Sequence, residues 1–237
     1  MPTRTDRPPA PLLALAAVTM ALVLVTSGLV VAGWASRLGG PAAQESPADG
    51  VPGDVQVVSG GEHDAAVFEV GDGWVLRPRG TSLFYTDAEG RISAGLDGAA
   101  VFRDGACAAG EAASNRAFAG FGRPSRLPAR RTSRVLAQQW RDALAHDART
   151  GTTHEAGARR TREVELADGS VAVRTDVGLG IVEPSACEAA RVRASVVSLD
   201  TGRWTSSVVL VRDLGVPDAL DGAAAERLLA SLRPTGR

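Results

Sequence analysis

Apolar positions change their spacing along this chain, and each spacing predicts a different element. From Leu12 to Ala35 they run almost without interruption for 24 residues, with no charge among them. At about 1.5 Å per residue such a helix crosses a hydrocarbon core of about 30 Å. Between Gly39 and Gly61 the pattern dissolves into Gly, Pro, Ala and acidic residues, the composition of a flexible tether. From His63 onward short alternating runs appear. Ala65–Val70, Trp74–Leu76, Ser82–Thr86 and Arg91–Phe102 read as strands, separated by Gly71-Asp72-Gly73 and Asp87-Ala88-Glu89-Gly90.

A helical period takes over between Thr132 and Ala148. Val135, Leu136, Gln139, Trp140, Ala143 and Leu144 share one face, with Thr132 or Ser133 as N-cap. Two hairpins follow. Glu163–Leu166 and Ser170–Val177 turn at Ala167-Asp168-Gly169, and Val192–Leu199 and Trp204–Val211 turn at Asp200-Thr201-Gly202-Arg203. In the first of these, Val171, Val173, Thr175 and Val177 alternate with Ala172, Arg174 and Asp176, which predicts one buried and one wet face. Leu220, Ala224, Leu228 and Leu232 repeat every four residues and predict a closing helix from about Pro217 to Leu232. The expected fold is α+β: an N-terminal transmembrane helix, then a mostly antiparallel sheet with two packed helices. The expected organisation is a cytoplasmic tail (1–11), a signal anchor (12–35), a flexible linker (36–62) and an extracytoplasmic domain (63–237).

Charge sets the orientation. Arg4 and Arg7 precede the apolar run and Arg37 alone follows it, so the N-terminus stays in the cytoplasm and the bulk lies outside. Gly33-Trp34-Ala35 imitates a cleavage site, but the run is longer than a signal peptide's and favours an uncleaved anchor. The whole chain of 237 residues carries a net charge of −1, which gives no bulk attraction to nucleic acid, and all 26 basic residues are Arg. Cys107 and Cys187 are its only cysteines, and in an oxidising compartment their even number favours a disulfide over two buried thiols.

Catalytic signatures are scarce. The three histidines, His63, His146 and His154, belong to no recognised motif, and no Gly-x-Ser-x-Gly, His-Glu-x-x-His or Cys-x-x-Cys occurs. Gly178-Leu179-Gly180 lacks a third glycine and a following helix, and reads as a turn or bulge rather than a dinucleotide loop. Glu62, Asp64, Glu69 and Asp72 fit no calcium loop and read as a solvated face. No cofactor or metal is expected. Trp74, Trp140 and Trp204 read as core.

One local feature stands out. Residues 123–162 contain ten arginines against Asp142, Asp147 and Glu155, a net +7 that leaves −8 for the remainder. Arg130, Arg131 and Arg134 crowd a helix start, where the macrodipole already favours anions. Solvent and distant carboxylates can balance such a patch. Alternatively, helix-start N–H groups and guanidinium forks form a site for phosphate, carboxylate or an acidic partner.

Several segments carry a family resemblance: Gly73-Trp74-Val75-Leu76, Ala100-Val101-Phe102-Arg103-Asp104-Gly105-Ala106-Cys107, Trp140 within its helix, Pro184-Ser185-Ala186-Cys187, Val209-Leu210-Val211 before Gly215-Val216-Pro217, and Leu228-Leu229-Ala230-Ser231-Leu232-Arg233-Pro234. In this order they resemble membrane-anchored or secreted domains of unknown function of high-GC Gram-positive bacteria, some with a PsbP/Mog1-like α/β/α sandwich. The resemblance spans roughly Glu69 to Pro234. It implies that fold and a Cys107–Cys187 disulfide, and supplies no catalytic residues.

The functional expectation is a non-enzymatic single-pass envelope protein whose outer domain binds a protein or an anionic envelope component through Arg126, Arg130, Arg131 and Arg134. The alternatives are an extracytoplasmic hydrolase using His154 or a carboxylate as base, which requires a concave pocket, and a ligand-free structural or sensor ectodomain.

Overall fold

A computed structural model describes residues 55–60, 65–87, 89–109, 112–147 and 150–235, with the side chains of 107–109, 112 and 113 left aside. The chain divides into compact units at 1–49 and 50–237, and every described residue belongs to the second. The expected anchor at 12–35 therefore lies outside the described residues. Among the described residues no helix is long and apolar enough to cross a membrane.

The elements, in chain order, are β1 (Gln56–Ser59), β2 (Ala66–Val70), β3 (Trp74–Leu76), β4 (Leu83–Thr86), β5 (Ile92–Phe102), β6 (Cys107–Ala109), β7 (Ala112–Ser114) and β8 (Ala117–Phe121). Helix α1 (Ala129–Ala145) follows, then the short strands β9 (His146–Asp147), β10 (Thr152–Thr153) and β11 (Glu155–Ala156). The rest of the domain is β12 (Arg160–Glu165), β13 (Val171–Gly180), β14 (Arg191–Asp200), β15 (Thr205–Leu214), α2 (Gly222–Ala230) and β16 (Arg233–Pro234).

A nine-stranded antiparallel sheet, β11-β13-β14-β15-β8-β5-β3, forms the centre, with β12 also on β13 and β4 also on β5. One face packs on α1 through Leu136, Ala137, Trp140 and Ala143, set against Val177, Val196, Val209 and Val211. The opposite face is covered by α2 and by the small sheet β1-β2-β16, through Phe68, Leu220, Leu228, Leu229 and Leu232. The mostly antiparallel α+β expectation holds, with a helix on each face.

Four local expectations are corrected. Strand β1 lies inside the stretch expected as linker, where Gln56, Val57, Val58 and Ser59 pair with Val70, Glu69, Phe68 and Val67. Its carbonyl at Ser59 crowds Gly98, a φ of +52° position in β5 where a Cβ would collide with it, so the close approach requires glycine. Gly178-Leu179-Gly180 is regular strand rather than turn or bulge: it continues β13 in register with Arg193, Val192 and Arg191 of β14.

Strand β13 is buried on both faces, because each is covered by a helix layer. Arg174 is 4% exposed. Asp176 and Glu226 bond its guanidinium, and these partners hold its pKa above the ordinary value against burial. Helix α1 starts at Ala129, three residues earlier than expected. Thr132 and Ser133 are buried in its sheet-facing stripe, while Val135 is 52% exposed. Ser133 Oγ donates toward Thr175 Oγ1 (2.7 Å), so a small polar contact lets the helix sit close to a polar stretch of sheet.

Candidate functional site

The arginine-rich start of α1 has no cap from its own side chains and no acidic residue in its first turn. Instead the Ala129 N–H donates to Asp200 Oδ1 (3.1 Å), which reaches across from the β14–β15 turn and also accepts from Thr205 Oγ1 (2.6 Å). The negative charge that the helix dipole calls for is thus supplied by the domain itself. Arg126 lies over the Trp204 ring at 4.7 Å, and Trp204, expected in core, is half-buried beneath it. Arg130 Nη2 donates to Glu163 Oε1 at 2.8 Å in an exposed ion pair.

The side chains of Arg131 and Arg134 have no charge partner among the described residues. Arg159 Nη1 donates to the Arg134 carbonyl at 3.3 Å and so joins them. Together with Arg130, Val135 and Gln138 they line an open trough of about 660 Å³ that contains four guanidinium groups and no carboxylate. Arg130, Arg131 and Arg134 are therefore brought together, Arg126 stands apart from the trough, and Arg159 is the added member.

The far end of α1 is built differently. A pocket of about 520 Å³ lies between the helix C-terminus, β4, the start of β8, the 181–192 segment and the end of β15. Phe118, Leu144, Val192 and Val211 form apolar walls. At its base Arg116 Nη1 donates to Asp213 Oδ2 (3.2 Å) and to the Cys187 carbonyl (3.0 Å), and the two charged side chains are only 11% and 17% exposed. Burial, helped by nearby Glu188, pushes the Asp213 carboxyl above its ordinary pKa despite the pull of Arg116. Tyr85 keeps 37% of its surface exposed, yet its hydroxyl is enclosed, and burial followed by the charge of Asp213 pushes its pKa up to about 12.

Two histidines line this pocket. His154 Nδ1 accepts the Val182 N–H at 3.3 Å, which places the ring proton on Nε2 of the neutral form and commits the one lone pair. The pocket that a hydrolase would need is present, but His154 meets it as a donor rather than as a base.

Two family-scale observations complete the picture. A family model described as a domain of unknown function, DUF8017, matches residues 47–237. The chain belongs to this family. The DUF8017 match begins ahead of β1, in agreement with that strand being part of the domain rather than of a tether. No curated protein matches the chain.

The remaining candidates fall as follows. Glu62 and Asp64 lie outside the described residues, and Glu69 is paired with Arg233 at 2.8 Å. No group of potential metal ligands occurs among the described residues. Cys187 is disulfide-bonded, and its position between Ile181 and Val192 sets it in the pocket wall. The Cys107 side chain lies outside the described residues.

The DUF8017 pocket was missed by sequence reasoning because Tyr85 of β4, Arg116 just ahead of β8 and Asp213 of β15 lie far apart in the chain. One signal was available: Asp213 continues the odd-numbered stripe of Val209 and Val211, an acid in register with an apolar face.

Proposed function

We propose that this chain is a non-enzymatic, single-pass envelope protein that binds an anionic envelope component through the α1 trough. Residues 12–35 are its anchor, the N-terminus is cytoplasmic, and the DUF8017 domain stands outside the membrane. The apolar run and the arginine bias across it support the topology. In this reading the fold is a PsbP/Mog1-like α/β/α sandwich, and Cys107 is the partner of Cys187, since the chain holds two cysteines.

The observation that carries the reading is the trough, where Arg131, Arg134 and Arg159 meet with no carboxylate among its lining. Exposed like charges brought together weaken a fold slightly, and an anion laid across them relieves that repulsion. Guanidinium forks suit phosphate and carboxylate oxygens in particular.

The test uses the full-length protein in uncharged nanodiscs with a soluble phosphodiester polymer as probe. Arg131→Gln/Arg134→Gln/Arg159→Gln is expected to weaken polymer binding at least tenfold and to flatten its dependence on salt, while the unfolding temperature stays within about 2 °C of wild type. Equal binding by the triple variant and wild type defeats the reading.

A further inference from the structure

The pocket at the other end of α1 has a chemistry of its own, independent of the trough. We propose that it is a binding site for a small organic ammonium: a primary amine on a short aromatic or branched aliphatic body.

Its volume of about 520 Å³ falls in the range of small-molecule sites. Phe118, Leu144, Val192 and Val211 give the apolar body its contact surface. The polar base is not self-sufficient. Arg116 directs Nη1 to both Asp213 Oδ2 and the Cys187 carbonyl. Asp213 Oδ1 makes no hydrogen bond among the described residues and is not among the enclosed unpartnered atoms, so it opens onto the pocket. An acceptor oxygen in a partly desolvated wall calls for a donor from the ligand.

The charge balance says which kind of donor. Asp213 and Glu188 line the pocket, and Arg116 answers only the first of them. Arg212 also borders it, but its guanidinium turns to the opposite face of the sheet and donates to the Leu220 carbonyl at 2.9 Å. Glu188 Oε2 accepts only the Ser185 N–H among the described residues, so no cation there answers its carboxylate. A cation balances the carboxylate that Arg116 leaves unanswered, whereas a lone anion would face both Glu188 and the open Asp213 oxygen.

Two ligand sources share this chemistry, a simple amine and the zwitterion of an apolar amino acid. Their difference is a carboxylate, for which Arg116 Nη2 is available, since it makes no hydrogen bond among the described residues and is not enclosed.

Three probes with one phenyl body separate the cases on the full-length protein in nanodiscs, with empty nanodiscs as control: phenethylamine, L-phenylalanine and 3-phenylpropanoate. Titration calorimetry gives affinity. Tyr85 is the only tyrosine, so 3-fluorotyrosine labelling gives one ¹⁹F resonance as a reporter at the pocket. The expected result is that phenethylamine, phenylalanine or both bind and shift that resonance, whereas 3-phenylpropanoate does neither. Phenylalanine binding more tightly than phenethylamine assigns the amino acid source, and the reverse order assigns the simple amine.

Asp213→Asn is expected to weaken the bound amine at least tenfold. Because that change also leaves Arg116 underpaired, Glu188→Gln at the exposed rim serves as the second variant, with an expected loss of about threefold and no change in folding. The proposal is overturned if neither amine binds, if 3-phenylpropanoate binds as well, if the ¹⁹F resonance does not move, or if Glu188→Gln leaves affinity intact. None of these outcomes touches Arg131, Arg134 or Arg159, so failure here and failure of the trough are separately readable.

Discussion

The two ends of α1 handle charge in opposite ways. At its start, arginines stand in solvent around a shallow trough, and their balance is distributed: Asp200 takes the first helix N–H, Glu163 takes Arg130, and Trp204 takes Arg126. At its end, one ion pair is drawn into a pocket in which burial raises the pKa of both Asp213 and Tyr85. Exposed charges are cheap to keep and easily screened, so they suit a broad, salt-sensitive contact. Buried ones are costly unless each is answered, so an incompletely answered pair points to a missing partner. The same helix thus carries a surface suited to capture and a cavity suited to recognition.

Trp140 is the strongest lever for separating the two. Its indole is 1% exposed and packs 5.7 Å from both Tyr85 and Phe118, behind the pocket and away from the trough. Trp140→Ala is expected to cost about 3–5 kcal/mol in denaturant unfolding. Opening the space beneath Tyr85 should also return its titration from about 12 toward the ordinary 10, read by absorbance of the single tyrosine. Trp140→Phe is the contrasting case. The indole N–H is buried with no hydrogen-bond partner among the described residues, so its loss removes an unmet polar group and the variant should lose far less than alanine does. A tyrosine titration unmoved by Trp140→Ala would mean that the enclosure comes from Asp213 and the loops alone.

How much of each region could be read from the chain follows from the distance between its parts. The trough is nearly local: Arg130, Arg131 and Arg134 fall on two turns of one helix, and only Arg159 arrives from elsewhere. The strands from Ala66 to Phe102 and the two late hairpins were legible for the same reason, since alternation and turn residues act over a few positions. Strand β8 was not, because Ala117–Phe121 is buried on all five positions and shows no alternation. Nor was the true face of α1, since Thr132 and Ser133 are buried by hydrogen bonding to Leu127 and Thr175 rather than by apolar character. The pocket needs Tyr85, Arg116 and Asp213 close together, and the β15–β8–β5 order with β4 paired on β5 places them there.

A smaller effect sharpens the boundary of the trough. Arg126 is exposed but spends its guanidinium on Trp204. Arg126→Gln is therefore expected to cost about 0.5–1 kcal/mol of stability through the lost ring contact. Binding of the phosphodiester polymer should remain close to wild type, the opposite profile to that of the trough variants. If polymer binding falls as far as it does on losing Arg131, Arg134 and Arg159, the contact surface extends past the helix start to the β14–β15 turn.

The smallest expected effect tests whether helix capping differs between the two layers. Asp200 caps α1 from a distant hairpin, whereas Asp221 caps α2 locally, accepting from the N–H groups of Ala223 (2.7 Å) and Ala224 (3.0 Å). Those two bonds, more than the nearby arginines, hold the Asp221 carboxyl below its ordinary value of 3.8. A depressed carboxyl contributes stability that is present above the unfolded value and is lost as pH falls through the folded one. Asp221→Asn keeps an acceptor oxygen but cannot titrate. The gap in unfolding temperature between wild type and Asp221→Asn should be small at pH 7 and close as pH drops below about 4. A gap that persists unchanged to pH 2 would show that the cap acts through geometry alone, leaving the charged carboxylate without a role at this helix start.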